Sequence, residues 1–409
     1  MGKTRGFLQR WGPGGLLLLL AGCAHSTARQ PIILPTPQAS VITYAAPYPP
    51  SPQARWPWPK AVKEAPHKGV THWIDKSSPD GTLCELLDFD FAANPSLRLE
   101  LYDQDEDDAR PFDDKVVYWP NGVGSVTRHL NQLGRGPVLA AWNGLFFDSP
   151  HSPASHVAPV VLNGHVHYNV GLIRWAFGVQ YDDLGHPQFK TLHEPSKTTL
   201  ARELTYGAEG AQCLVLNGQP LKLQPFPKTG DITPPTPVPS TAQEAGHIPG
   251  IDHIKTSRTT MGWTRDNRHF YLLIVKEPDT ETGSFAFLHG AKGVDGGWTL
   301  ADEQRFWLAK GVWGAVNIDG GDVTQLTMLR RDGRYDMVPP RWASPAMRLQ
   351  FGPNFANAPQ GGTMMYFYVR ENGMNFGGTS PDQNGTMRYF YGNESKPLIH
   401  FSVRGPGHP

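Results

Sequence analysis

Downstream of Gly69 the chain alternates short apolar runs with turn residues, and few of the runs are long enough to make a helix. Residues 83–91, 97–102, 138–142, 157–162, 175–181, 213–216, 259–264, 270–275, 312–318 and 364–370 read as strands, rich in aliphatic and aromatic residues and bounded by turn formers. Residues 259–264 and 270–275 flank the polar turn Arg265-Asp266-Asn267-Arg268, which predicts an antiparallel hairpin. Two helices are expected. In residues 299–310, Thr299 and Asp302 have the spacing of a capping box with Asp in place of the usual Glu. Leu300, Trp307 and Leu308 share a face there, and Gly311 supplies the C-terminal cap. In residues 125–133, Val126, Leu130 and Leu133 share a face and Gly134 closes the helix. Many strands, few helices and an antiparallel hairpin predict an α+β fold of mixed or antiparallel sheets, in a single main domain over residues 69–409.

Composition supports this. The 44 Gly and 39 Pro among 409 residues are about a fifth of the chain against about 12% on average, which favours turns and strands. Charged residues make up 18%, and 37 Lys and Arg balance 37 Asp and Glu. With no dense basic run, nucleic acid is not an expected partner. No uninterrupted apolar run of about 18 residues offers a membrane span.

The N-terminus is organised differently. Lys3, Arg5 and Arg10 precede five leucines at 16–20 and then Ala21, Gly22 and Cys23, the layout of a signal peptide. Leu20-Ala21-Gly22-Cys23 resembles a bacterial lipobox, which implies a signal peptide over residues 1–22 and lipidation of Cys23. The chain is then expected in the bacterial cell envelope, held to a membrane through that lipid, at the outer membrane if the cell has two. An ordinary signal peptide with an incidental cysteine is the alternative. Residues 24–66 carry ten prolines, so residues 23–68 read as an extended tether of about 3 Å per residue. Trp56 and Trp58 allow a second reading, in which part of the tether lies along the domain as an ordered strap. Residues 222–256, rich in Pro and Thr, read as a loop insertion at the rim of a site or as a surface insertion. Cys84 and Cys213 could pair in an oxidising compartment, or each could be a small buried hydrophobe.

Two stretches share one layout: a helix closed by Gly, an apolar strand, then a small polar residue followed by Gly. The first ends in Asn143-Gly144 and the second in Asp319-Gly320-Gly321. A strand that emerges at Asp-Gly-Gly displays a carboxylate at its end, with glycines that let a ligand approach the backbone. The same sequences are also ordinary turns.

The ordered blocks of residues 69–330 resemble the phosphodiester glycosidase family. Gly69-Val70-Thr71-His72 followed by residues 86–91 resembles its opening strands, and Ala140-Ala141-Trp142-Asn143-Gly144-Leu145-Phe146-Phe147 its Asn-Gly-Gly-Phe-Phe motif. Residues 160–166 are similar to the strand that follows. Arg258-Thr259-Thr260-Met261-Gly262 resembles its Arg-Thr-Ala-x-Gly hairpin, and residues 299–302 with Asn317-Ile318-Asp319-Gly320-Gly321 its helix and Asn-Leu-Asp-Gly-Gly signature. The resemblance implies hydrolysis of a sugar-1-phosphodiester at the anomeric carbon, in a glycan or glycolipid substrate. Oxocarbenium character develops there, which a carboxylate stabilises or traps while a second group handles the proton. Asp319 is the expected carboxylate and Arg258 the expected phosphate anchor, since a guanidinium grips paired oxygens. Asn143 and Asn317 would fix sugar hydroxyls or orient Asp319, and Gly144, Thr259, Gly320 and Gly321 would line the substrate.

Two departures stand against that pattern. Asn143-Gly144-Leu145 lacks the second Gly, and Asp319-Gly320-Gly321-Asp322-Val323-Thr324 replaces a Gly by Asp322 and a Ser by Val323. Asp322 could be a second catalytic carboxylate, could join Asp319 in holding a divalent cation, or could repel a phosphodiester in a chain that only binds glycan. Metal-dependent cleavage of the P–O bond is a third reading. No cofactor is otherwise expected: His165 and His167 share a strand face but make half a metal site. His151 and His156 follow the Asn143 motif where a general acid could sit.

Overall fold

Strand His269–Lys276 shows how the molecule is layered. Phe270, Leu272 and Ile274 point to one face and Tyr271, Leu273 and Val275 to the other, and all six are buried. A strand with period-2 side chains and apolar residues at every position must be covered on both faces. A second sheet covers one face; a helix and an N-terminal strap cover the other.

The computed structural model describes residues 50–107, 111–112, 121–148, 155–168, 175–223, 255–277, 296–333, 335–338, 362–372, 386–389 and 400–402. The expected signal peptide, Cys23, His151 and residues 224–254 of the expected insertion lie outside these residues. The large sheet runs in the order Val62–His67, Val70–Asp75, Leu83–Asp90, His269–Lys276, Arg258–Trp263, Gly314–Asn317, Tyr206–Leu216, Trp175–Tyr181 and Pro187–His193. The second runs His400–Ser402, Thr386–Tyr389, Tyr335–Val338, Leu326–Leu329, Val138–Asn143, Met365–Glu371 and Leu97–Asp103. Neighbours pair antiparallel except Tyr335–Val338 with Thr386–Tyr389. With three α-helices among the described residues, Val123–Gln132, Lys197–Glu203 and Leu300–Lys310, the fold is α+β with a single main domain, as its sequence pattern predicts.

Between the sheets Trp142 stacks on Phe89, Phe270 and Phe367 with ring centroids 6.1–6.3 Å apart. On the opposite face of the large sheet lies helix Leu300–Lys310. Thr299 and Asp302 form the expected capping box, and Gly311 takes the left-handed conformation (φ 76°) that ends it. Its Phe306 and Trp307 are buried with Leu86, Tyr271, Leu273 and Trp58. The expected hairpin is present, with Thr260 paired to Leu273.

Ordered structure begins upstream of Gly69. Ser51 N donates to Asp302 Oδ1 (3.0 Å), Trp58 Nε1 donates to Gln53 O (2.8 Å), and the Trp58 ring lies 5.2 Å from that of Phe306. Val62–His67 then pairs with Val70–Asp75. The strap reading therefore describes residues 51–58: prolines prevent regular hydrogen bonding there, yet Trp58 gains a buried apolar site. Cys84 and Cys213 are free and buried, Cys84 in the outer cluster and Cys213 in the inter-sheet core, so the sheet separates them.

Candidate active site

Three strand ends meet at the candidate site. Val138–Asn143 delivers Asn143 and Gly144, Arg258–Trp263 begins with Arg258 and Thr259, and Gly314–Asn317 runs out through Ile318 into Asp319-Gly320-Gly321. The pairing of the last two continues past the strand end. Ile318 N donates to Thr259 O (3.1 Å) and Gly321 N to Ser257 O (2.8 Å). Thr260 is paired with Asn317, and between Ile318 and Gly321 the register slips by one residue, which brings Asp319-Gly320 alongside Arg258: a Cβ on Gly320 would lie 3.6 Å from Arg258 Cα.

Asn143 joins the two sheets at this point. It is 0% exposed, its Nδ2 donates to the Asp319 carbonyl (2.6 Å), and its Oδ1 accepts from Thr259 Oγ1 (2.8 Å) and from Gln325 N (3.2 Å). Asp319 N donates to Gly144 O (3.3 Å), so both amide groups of Asp319 are held by the Asn143-Gly144 motif. The Asp319 side chain is half-buried, and its Oδ1 accepts from Gly320 N (2.8 Å). The glycines here are steric requirements. A Cβ on Gly144 would meet Met365 O at 2.7 Å, one on Gly320 would meet Ser257 O at 2.9 Å, and Gly321 has φ +61°.

Arg258 is 3% exposed, and its Nε donates to Trp298 O (3.1 Å), which fixes the plane of the guanidinium. Side chains of directly opposed residues share a sheet face, so Arg258, Thr260 and Asn317 belong to the face beneath helix Leu300–Lys310. There Thr260 Oγ1 donates to Glu303 Oε2 (2.8 Å) and Asn317 Nδ2 to Gln212 Oε1 (2.6 Å). Glu303 is fully buried, and that burial pushes its carboxyl up to about 8, against the opposing influence of Thr260 and Arg258.

The expected site residues therefore divide in two. Asp319, Gly320 and Gly321 are half-buried, whereas Asn143, Gly144, Arg258, Thr259 and Asn317 are buried. Asn143 and Asn317 do not present their amides to a sugar in this structure, because both are buried, Asn143 bonded through both ends of its amide and Asn317 through Nδ2 to Gln212; Asn143 instead holds the Asp319 backbone. The backbone of Asp322 lies in a 3-10 turn, Gly321–Val323, and its side chain is outside the described residues. His156 is buried with Nε2 3.0 Å from Asp103 Oδ2 and its ring stacked on Tyr168, which encloses it rather than offering it as an acid. His165 is exposed, whereas His167 stacks on Phe112 at 3.7 Å. Among the described residues, no group of three or more His, Cys, Asp or Glu side chains could hold a metal ion.

Sequence reasoning missed the supporting residues. Ser257 and Glu277 bond reciprocally, Ser257 N to Glu277 Oε2 and Glu277 N to Ser257 Oγ, both 3.1 Å. Lys276 Nζ donates to Thr324 O (3.1 Å), and Gln325 Oε1 accepts from Val123 N (2.8 Å), tying the site to helix Val123–Gln132. Glu303 carried a legible signal: it lies three residues after Leu300 and four before Trp307, an acid on the apolar face of its helix.

Residues 136–348 match the sequence model of a family described as phosphodiester glycosidase. No curated protein matches the chain. Among solved structures it is similar to the catalytic domain of zebrafish N-acetylglucosamine-1-phosphodiester alpha-N-acetylglucosaminidase, auto-inhibited by its pro-peptide. The two share 15% identity over 76% of this chain and 88% of that one, with a TM-score of 0.46. It is also similar to a hypothetical protein from Synechocystis, at 11% identity over 76% of this chain and 64% of that one, with a TM-score of 0.41.

Proposed function

The chain belongs to the phosphodiester glycosidase family, and from that premise we propose that it hydrolyses a sugar-1-phosphodiester at the glycosidic C–O bond, in an envelope or extracellular glycan or glycolipid. The observation that carries this reading is the placement of Asp319 just past a strand end, backbone-clamped by Asn143-Gly144, in the turn that runs alongside Arg258. Departure of the phosphodiester leaves positive charge on the sugar and negative charge on the phosphate. A carboxylate beside a guanidinium meets both: Asp319 stabilises or traps the oxocarbenium-like centre, and Arg258 holds the phosphate. Rigid backbone contacts place the carboxylate before substrate arrives, so little reorganisation is required at the transition state. Asp322, adjacent on the 3-10 turn, is the proposed second carboxylate. Lipidation at Cys23 and a tether ahead of the ordered strap would hold this domain at the surface of a bacterial membrane.

Asp322 and Val323 favour a second reading, in which the fold binds glycan without cleaving it, since a Cβ and a charge stand where the family pattern has a Gly. A panel of sugar-1-phosphodiesters incubated with the full chain separates the two. Release of free sugar, lost in Asp319→Asn and weakened chiefly in KM by Arg258→Lys, is the expected result; glycan binding with no turnover of any panel member would overturn the glycosidase reading.

A further inference from the structure

Behind Arg258, under helix Leu300–Lys310, sits a carboxyl group with no part in the steps above. Glu303 Oε2 accepts from Thr260 Oγ1 (2.8 Å), which itself accepts from Trp307 Nε1 (3.0 Å). Its Oε1 is buried with no hydrogen-bond partner among the described residues. Thr260 stands directly across from Asn317, whose Oδ1 is likewise buried without a partner among the described residues. Phe306, Trp307, Trp298 and Leu273 form the surrounding apolar cluster.

An ionised carboxylate in such a place would lose its hydration with only one hydrogen bond in return, whereas a neutral acid buries no charge and supplies a donor on the face where Asn317 has a spare acceptor. The charged and polar groups that face it are Arg258 and Thr260 from one strand, Cys84 from Leu83–Asp90 and Asp302 from its own helix, with Asn317 and Gln212 on the neighbouring strands. Arg258 is the one cation in that set, and it is the proposed phosphate anchor. A negative charge on Glu303 would offset the guanidinium from within the protein, in a medium where opposite charges interact strongly.

We propose that Glu303 is a positioning residue for substrate binding: as a neutral acid it fixes Thr260 and the strand end without offsetting the Arg258 charge that a phosphodiester needs. This rests on the reading of Arg258 as the phosphate anchor. The carboxyl value of about 8 agrees with it, with burial as the leading cause. When Glu303 ionises, Arg258 is partly neutralised and anion binding weakens, while the Asp319 chemistry is untouched.

The test uses the full chain, wild type and Glu303→Gln, with two ligands: a hydrolysable sugar-1-phosphodiester and its non-hydrolysable phosphonate analogue. KM, kcat and the analogue Kd are followed from about pH 6 to about pH 9.5, a window that spans the titration of Glu303. In wild type, KM and Kd should rise severalfold above about pH 8 with kcat unchanged, and in Glu303→Gln both should stay flat. An equal rise in Glu303→Gln overturns the proposal, because another group would then be titrating. A rise in Kd without any turnover sinks the hydrolysis reading but keeps this one; turnover with pH-independent KM and Kd does the reverse. If Glu303→Gln fails to fold, the wild-type unfolding midpoint decides. Its folded carboxyl lies above the unfolded value, so the stability it contributes at low pH is lost as pH rises through about 8. A midpoint constant from about pH 5 to about pH 9 would then overturn the proposal.

Discussion

Replacing Asn143 by Ala tests whether the site is held by the amide that joins the two sheets. The side chain is 0% exposed and makes three hydrogen bonds, to Asp319 O, from Thr259 Oγ1 and from Gln325 N, at 2.6, 2.8 and 3.2 Å. Depriving a buried polar group of a bond costs about 1–3 kcal/mol each, so a loss of about 3–5 kcal/mol is expected after partial relaxation. That is a large part of a total of about 5–15 kcal/mol. Asn143→Asp keeps the shape and the acceptor but turns the donor toward Asp319 O into a second acceptor. Its carboxyl would be raised by burial and by that carbonyl, so the variant should be most stable at low pH, where the acid can donate, and lose stability as pH rises. Urea unfolding followed by tryptophan fluorescence reads both, since Trp142 adjoins the substitution. A loss under about 1 kcal/mol for Asn143→Ala would refute the reasoning, because the three bonds would then not be holding Asp319.

Further outcomes follow from packing. Gly144→Ala forces a Cβ against Met365 O and Met365 Cβ at 2.7 and 2.8 Å. It should cost about 1–3 kcal/mol and lower kcat more than Asn143-remote substitutions of equal cost, as read by urea unfolding beside turnover. Trp58→Ala should cost about 3–5 kcal/mol, because the ring is 6% exposed against Phe306; an unchanged midpoint would return residues 51–58 to the tether. In a Cys23→Ala background, native protein should show no thiol reactive toward a soluble disulfide reagent, and two on unfolding. Burial raises both the Cys84 and Cys213 thiols above their ordinary range and shields them.

The parts of the fold legible in the sequence are those whose side chains alone specify the element. The 299–310 helix was legible because Thr299, Asp302 and Gly311 state its ends chemically. The 259–275 hairpin was legible because the polar turn separates two alternating runs. Strand Tyr206–Leu216 was legible only from Cys213 onward. Its first half contains Gly207, which must be glycine because a Cβ would sit 2.5 Å from Phe177 O, and Gly210, the bulged residue at φ +114°. Pairing across space required those glycines, and local pattern reads them as loop. Pro187–His193 was missed for a related reason: of its residues only Pro187 and Phe189 are buried, so an edge strand carried little signal. At the site, Asp319 and its glycines were readable as a motif. The burial of Asn143 and Asn317, and the meeting of Glu303 with Thr260, depend on residues far apart in the chain, and no local spacing encodes them.

Which bond breaks, the anomeric C–O or the P–O, is tested directly by the fate of one solvent oxygen. The full chain is incubated in oxygen-18 water with a sugar-1-phosphodiester that it turns over, and the products of wild type and Asp319→Asn are weighed by mass spectrometry. Attack at the anomeric carbon predicts label in the free sugar and none in the phosphomonoester, with release abolished in Asp319→Asn. Label in the phosphate instead would mean P–O cleavage and would contradict the role given to Asp319.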